Sequence, residues 1–260
     1  MYSKVALSIG GSDSGGGAGI QADLRTFMSL KVHGCTVITC ITAQNSLEVT
    51  CVEAVQSNTL INQIEALFLD LKIQALKTGM LLNEDIITNT AKKLKGYNIP
   101  KIIDPVMVSR TGSKLIEENG VNAYKKLLFP QAELVTPNIF EANLLSNIQI
   151  KNEEDIENSA QHILQLGPKA VLIKGGGLNH LKGKDFYIDT TGKRKWFINE
   201  FVKTSNTHGS GCTLSAAICS YMALGLNLME AIRKAKVFIK RSLEKSYKIG
   251  SGPGPLGHYQ

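Results

Sequence analysis

The 260-residue sequence predicts an α/β fold built on a largely parallel sheet, and three features support that expectation. Apolar runs of five to eight residues alternate with segments of helical period, the pattern of repeated βαβ units. Hydrophobic residues make up 43% of the chain and charged residues 20%, the balance of a globular protein with a large core. Several apolar runs end directly in polar or glycine-bearing turns, and ligands of open α/β sheets sit at the carboxyl ends of strands. One core is feasible at this length, so a single domain over residues 1–260 is expected.

The expected strand at Lys4–Ile9 leads into a helix at Ala18–Leu30, and Cys35–Thr42 leads into a helix at Leu60–Leu71. Ala75–Thr78 and Lys101–Asp104 read as strands around a helix at Glu84–Leu94, and a helix at Val121–Leu128 precedes a strand at Leu134–Thr136. Helices at Phe140–Leu145 and Glu153–Leu166 come before the strand Ala170–Lys174. Phe186–Asp189 and Lys195–Asn199 bracket Thr190-Thr191-Gly192-Lys193, a hairpin signal in an otherwise parallel arrangement. Helices at Gly211–Leu224 and Leu228–Ser246 complete the order. The polar, glycine-bearing segment Thr111–Asn119 is expected to be mobile.

No apolar run approaches the roughly 20 residues that span a bilayer, and the N-terminus has no signal-peptide cleavage site, so a cytoplasmic location is expected. The five cysteines, Cys35, Cys40, Cys51, Cys212 and Cys219, form no C-x-x-C pair and read as reduced thiols. The net charge is +7, and between Ala231 and Lys248 seven basic residues face one acid, Glu244. There Arg233, Lys234, Lys236, Lys240, Arg241, Lys245 and Lys248 are expected on one half of a helix, opposite Ile232, Ala235, Phe238, Ile239 and Leu243. A charge excess confined to one helix face reads as a solvated surface and argues against a nucleic-acid binder.

Chemistry concentrates in three places. Gly10-Gly11-Ser12-Asp13-Ser14-Gly15-Gly16-Gly17-Ala18-Gly19 holds six glycines between a strand and a helix, where backbone N–H groups can approach a ligand. No G-K-[ST] follows, which excludes a P-loop, and no acidic residue at ribose spacing supports a dinucleotide fingerprint. Asn206-Thr207-His208-Gly209-Ser210-Gly211-Cys212 opens a helix, so the N–H groups from Gly209 to Cys212 suit an anion such as a transferring phosphoryl group. Cys212 lies in the first helical turn, where a thiol pKa is lowered and a thiolate could act as general base. A small buried hydrophobe is the other reading of the same cysteine. His208 lies near that site rather than acting in it, and His33, His162, His180 and His258 read as surface or packing residues.

The third group is acidic. Asp104 and Glu141 both lie at or beyond strand ends and could hold Mg²⁺ through water. A helix-capping role competes for Glu141, three residues after Asn138. Lys174-Gly175-Gly176-Gly177 adds a lysine and a glycine turn suited to nucleotide phosphates.

In order and spacing these segments, with Ala43-Gln44-Asn45, Lys77-Thr78-Gly79-Met80-Leu81, Asp104-Pro105-Val106-Met107, Thr136-Pro137-Asn138 and Gly254-Pro255-Leu256-Gly257-His258-Tyr259, resemble the hydroxymethylpyrimidine/phosphomethylpyrimidine kinases of thiamine biosynthesis. The resemblance covers nearly the whole chain. It implies a ribokinase-like three-layer αβα sandwich with a mostly parallel central sheet, ATP as donor and a hydroxymethyl pyrimidine as acceptor, phosphorylated once and then again. By the same resemblance Gln44 would bond the aminopyrimidine edge, with Gly11, Asp23, Met80 and Val106 lining the pocket. Lys174, Asn138 and Thr207 would approach the nucleotide, and Asp104 and Glu141 would hold magnesium. Gly209 and Gly211 would form the anion hole, and Cys212 would take the hydroxyl proton. Gly10 stands where relatives commonly have alanine, and Gly177 where many have histidine. A pyridoxal kinase is the nearest alternative. The expected partners are ATP and the small pyrimidine in a homodimer, with neither nucleic acid nor membrane.

Overall fold

The computed structural model describes residues 4–107 and 116–259. In chain order its elements are β1 (Val5–Asp13), α1 (Gly19–Ser29), β2 (His33–Gln44), β3 (Val49–Ala54), α2 (Ser57–Asp70), β4 (Ile73–Thr78), α3 (Glu84–Leu94), β5 (Lys101–Ile103), α4 (Glu118–Ala123) and β6 (Leu134–Val135). They continue with α5 (Ile139–Ser146), α6 (Glu153–Leu164), β7 (Ala170–Lys174), β8 (Lys184–Asp189), β9 (Arg194–Ile198), α7 (Ser210–Ala223) and α8 (Leu228–Glu244). The strands form one sheet in the order β3-β2-β1-β4-β5-β6-β7-β8-β9. From β2 through β7 neighbouring strands run parallel, whereas β3, β8 and β9 are added antiparallel at the two edges.

Successive strand residues point to opposite faces, and the core divides accordingly. Leu7, Leu76, Ile103, Val135 and Ile173 pack under α2, α3, α5 and α6. Their neighbours Ala6, Ala75, Ile102, Leu134 and Leu172 pack under α1, α7 and α8. The result is a ribokinase-like three-layer αβα sandwich around a mostly parallel sheet.

Three expectations need correction, and a fourth falls largely outside the described residues. No strand was expected at β3, whose outward residues are exposed and which forms no apolar run; its hydrogen bonds to β2 hold it extended. The helix expected over Val121–Leu128 is α4 followed by a π turn at Tyr124–Leu128 and a 3₁₀ turn at Phe129–Gln131, because Pro130 has no N–H to continue the ladder. Lys236 does not share the solvated face of α8. It is buried, and its Nζ donates to Asp185 Oδ2 at 2.7 Å and Gly183 O at 2.9 Å. Of Thr111–Asn119, residues 111–115 lie outside the described residues, and Glu118 and Asn119 begin α4. The late hairpin forms as expected, with Gly192 in the left-handed region at φ 84°.

The strand order reverses at β1, whose neighbours are β2 and β4, so a crevice opens at the carboxyl ends of β1 and β4. Glycines supply its walls. Gly79 N donates to Ile9 O at 2.7 Å, and a Cβ on Gly11 would stand 2.8 Å from Cys40 Sγ and 2.9 Å from Met80 Cε.

Candidate active site

Two helix N-termini meet at this crevice. Gly209 caps α7 with φ 80°, and a Cβ there would collide with Gly17 O in the turn before α1. Gly17 in turn leaves room for the His208 ring. Sequence-distant glycine turns are thus pressed together, which only residues without Cβ atoms allow.

Cys212 lies in the first turn of α7, with the Gly19 N–H at the start of α1 among the groups that favour its thiolate. The thiol is nevertheless not lowered. Burial pushes it up to about 11, against the pull of the Lys77 charge and the Gly19 N–H. The helix terminus alone therefore misled the expectation, because desolvation of a thiolate outweighs it.

Lys77 is fully buried below the crevice, with its Nζ 3.1 Å from Asp23. Burial disfavours its charge, but Asp23, Cys212 and Asp104 together raise its pKa, so it is a fixed cation under the thiol. Asp23 also accepts from Ser8 Oγ at 2.6 Å. Asp23 is 1% exposed, so it supports the pocket from beneath rather than lining it, a correction to the expected role.

The opposite wall carries the Lys174–Asp104 pair. Lys174 Nζ donates to Asp104 Oδ1 at 2.7 Å and lies 3.3 Å from where a Cβ on Gly211 would be, facing the α7 terminus. Asp104 follows β5 directly and also accepts from Thr136 Oγ1 at 3.1 Å and Ser215 Oγ at 3.0 Å. Glu141 caps α5: Asn138 N donates to its Oε2 at 2.7 Å, while Asn138 Oδ1 accepts from Glu141 N at 2.9 Å. Burial pushes Glu141 up to about 7; Lys174 opposes the shift and the Asp104 charge adds to it.

On the β2 side, Asp13 Oδ2 accepts from Ala18 N at 2.8 Å and lies 3.0 Å from His208 Nε2. Burial would raise Asp13, yet the bonds from His208, Ala18 and Gly15 hold it below the ordinary carboxylate value. Gln44 Nε2 is 3.3 Å from the same His208 nitrogen. Met80 and Val106 are half-buried at the ends of β4 and β5, and Thr207 precedes the anion loop, with its carbonyl accepting from Ser210 N at 3.2 Å. Sequence reasoning missed Asp13, Lys77 and Cys40. Asp13 was in plain view inside the glycine cluster, whereas nothing in a strand such as Lys77-Thr78 marks a lysine as inward.

A thiol and an anion loop sharing one crevice suit transfer of a phosphoryl group to a small alcohol, and the protein is a phosphotransferase of the ribokinase-like class. Its residues 13–257 match the phosphomethylpyrimidine kinase family, to which the chain belongs. It is 48% identical to the hydroxymethylpyrimidine/phosphomethylpyrimidine kinase of Synechococcus elongatus, over 100% of this chain and 98% of that one. Identity to the Bacillus subtilis kinase of the same name is 39%, over 98% and 94% of the two chains. Among solved structures, the Clostridium difficile phosphomethylpyrimidine kinase superposes with a TM-score of 0.81 at 41% identity, over 91% and 98%. An ADP complex of Bacillus subtilis pyridoxal kinase does so with 0.90 at 37%, over 98% and 97%. Staphylococcus aureus pyridoxal kinase with AMP-PCP and pyridoxal gives 0.89 at 34%, over 98% and 93%.

Proposed function

We propose that this chain acts as a single kinase unit that moves the γ-phosphoryl group of ATP to the hydroxymethyl oxygen of 4-amino-5-hydroxymethyl-2-methylpyrimidine. It then phosphorylates the monophosphate to the pyrophosphate used in thiamine biosynthesis. The observation that carries the reading is the meeting of Cys212, the α7 terminus and Lys174 Nζ in one crevice, in a chain of this family.

In this reading the ring lies between Gly11, Met80 and Val106 with its amino edge at Gln44. The alcohol is a poor nucleophile, so Cys212 in its thiolate form takes the hydroxyl proton as the new O–P bond forms and the bond from the γ-phosphorus to the departing ADP oxygen breaks, and the Lys77 charge beneath favours that thiolate. The N–H groups of Gly209 and Gly211 and the Lys174 ammonium hold the transferring phosphoryl oxygens, with Asn138 and Thr207 beside the nucleotide. In the second step the nucleophile already carries charge, so positioning matters more than a base.

Asp104 and Glu141 fit a magnesium ion held through water. They are hard oxygen donors close enough for each to feel the other's charge, and no group of three or more metal-ligating side chains is found among the described residues. Magnesium would supply charge neutralisation on the phosphates.

A cytoplasmic location and a homodimer complete the proposal. No helix among the described residues is long and apolar enough to cross a membrane, and exposed Ile41, Leu47, Val49 and Val52 leave apolar surface on the β2–β3 ribbon for a second copy to cover. The second reading, pyridoxal as acceptor, is favoured by the likeness to pyridoxal kinases. Incubation with Mg-ATP and either ring, with products resolved by mass, tests both. One and then two added phosphates on the pyrimidine support the proposal, and phosphate on pyridoxal alone replaces it.

A further inference from the structure

Gln44 sits between two partners whose hydrogen-bonding roles are already decided. The Asp13 carboxylate can only accept, so its 3.0 Å contact with His208 requires the hydrogen on Nε2. That nitrogen then has no lone pair for a second donor. On the other side, the single hydroxyl hydrogen of Thr42 goes to Ser12 O at 2.9 Å, leaving Thr42 Oγ1 as an acceptor. The Gln44 carboxamide has its nitrogen 3.3 Å from His208 Nε2 and its oxygen 3.4 Å from Thr42 Oγ1, so each end meets a like partner. A half-turn about the last side-chain bond removes both conflicts. Oε1 then shares the single Nε2 hydrogen of His208 with Asp13, and the amide nitrogen donates to Thr42.

We infer that His208, held as a donor by Asp13, is a specificity-determining residue that sets the polarity of the Gln44 amide: oxygen toward α7, nitrogen toward β2. The inference rests on the reading that Gln44 faces the aminopyrimidine edge. That edge carries an amino donor beside a ring-nitrogen acceptor, so an amide of fixed polarity accepts it in one sense only. The amino group lies toward His208 and the ring nitrogen toward Thr42. The hydroxymethyl group, attached next to the amino-bearing carbon, then projects past His208 toward α7, where Cys212 lies four residues further on. The opposite polarity would carry the alcohol toward β2, away from the thiol. His208 thus acts through Gln44 and does not itself touch the reacting atoms.

The test is steady-state kinetics with the pyrimidine and ATP varied separately. His208→Phe keeps a ring against Gly17 but removes the donor. It is expected to raise KM for the pyrimidine about 10- to 100-fold, the usual consequence of an unsatisfied polar group. The KM for ATP should stay within about threefold, because the neighbouring anion loop is not altered. His208→Gln, whose amide N–H can reach Asp13 or Gln44, should recover most of the loss. Thr42→Val, on the far side of the amide, should act in the same direction and keeps the test open if His208→Phe does not fold. Equal increases in both KM values, or an unchanged pyrimidine KM, overturn the inference. Wild-type protein that leaves the pyrimidine unphosphorylated overturns the functional reading instead.

Discussion

Lys174–Asp104 and Lys236–Asp185 are the same pair of residue types at the same 2.7 Å, yet they belong to different parts of the molecule. In the second pair every polar group is met by protein: Lys236 also reaches Gly183 O, and Asp185 Oδ1 accepts from Gly175 N at 3.1 Å. It pins α8 to the turn that follows Lys174. Lys174 itself is 14% exposed and faces the α7 terminus, with donor capacity left for an anion. A buried ion pair is costly unless fully bonded, so the saturated pair reads as a clamp and the open one as part of the site.

That contrast can be broken most sharply at the site. Cys212→Ala is expected to lower alcohol phosphorylation by about 10²–10⁴ while the second phosphorylation changes less and Tm holds. With the thiol pushed up to about 11, the thiolate fraction grows with pH, so the wild-type first step should accelerate between about pH 7 and about pH 9. The alanine variant should lose that rise, and a pH-independent wild-type rate would remove Cys212 as the base.

The two lysines should then separate. Lys174→Met is expected to cut kcat by about 10²–10³, and it also costs stability because the buried Asp104 keeps only its Thr136 and Ser215 hydroxyl partners. Lys236→Met should leave kcat nearly intact and cost about 3–5 kcal/mol in urea unfolding, because a buried carboxylate loses its partner. Matching profiles for the two variants would erase the distinction.

Glu141 gives a smaller effect with a defined sign. Its pKa of about 7 lies above the unfolded value of about 4.3, so the protonated form is favoured by folding. That stability is fully present below the unfolded value and is lost as pH rises through about 7. Glu141→Gln should therefore raise Tm at pH about 8 and flatten its fall between about pH 5 and about pH 8. A Tm profile identical to wild type would contradict the burial argument. The smallest change is expected for the surface pair Lys169–Glu133, whose lysine side chain is 72% exposed. Replacing both by Gln should move unfolding by less than about 1 kcal/mol, and a larger loss would show that surface pairs carry more of this fold than solvent screening permits.

Much of the layout was legible because strand-and-helix alternation is a local property. The capping box at Asn138 and Glu141 and the hairpin around Gly192 both follow from side chains a few residues apart. Gly10 fits the same account: an added Cβ meets Gly79 at 3.6 Å, ordinary contact, so alanine there would be tolerated. The β3 edge was not legible, since its extension depends on pairing with β2 rather than on its own apolar content. The Cys212 pKa failed for a related reason: the helix terminus is visible in sequence, but the enclosure that outweighs it is not.

By itself, then, the sequence determined the α/β class, the order of the elements apart from the β3 edge, and the turns that carry glycine, because each depends on periodicity and backbone freedom within short segments. Only the tertiary structure decided which lysines are buried, which carboxylates are already spent on other bonds, and that His208 faces Gln44 across 164 residues of chain. Desolvation and hydrogen-bond saturation depend on everything that surrounds a group, and that surrounding exists only once distant segments have packed.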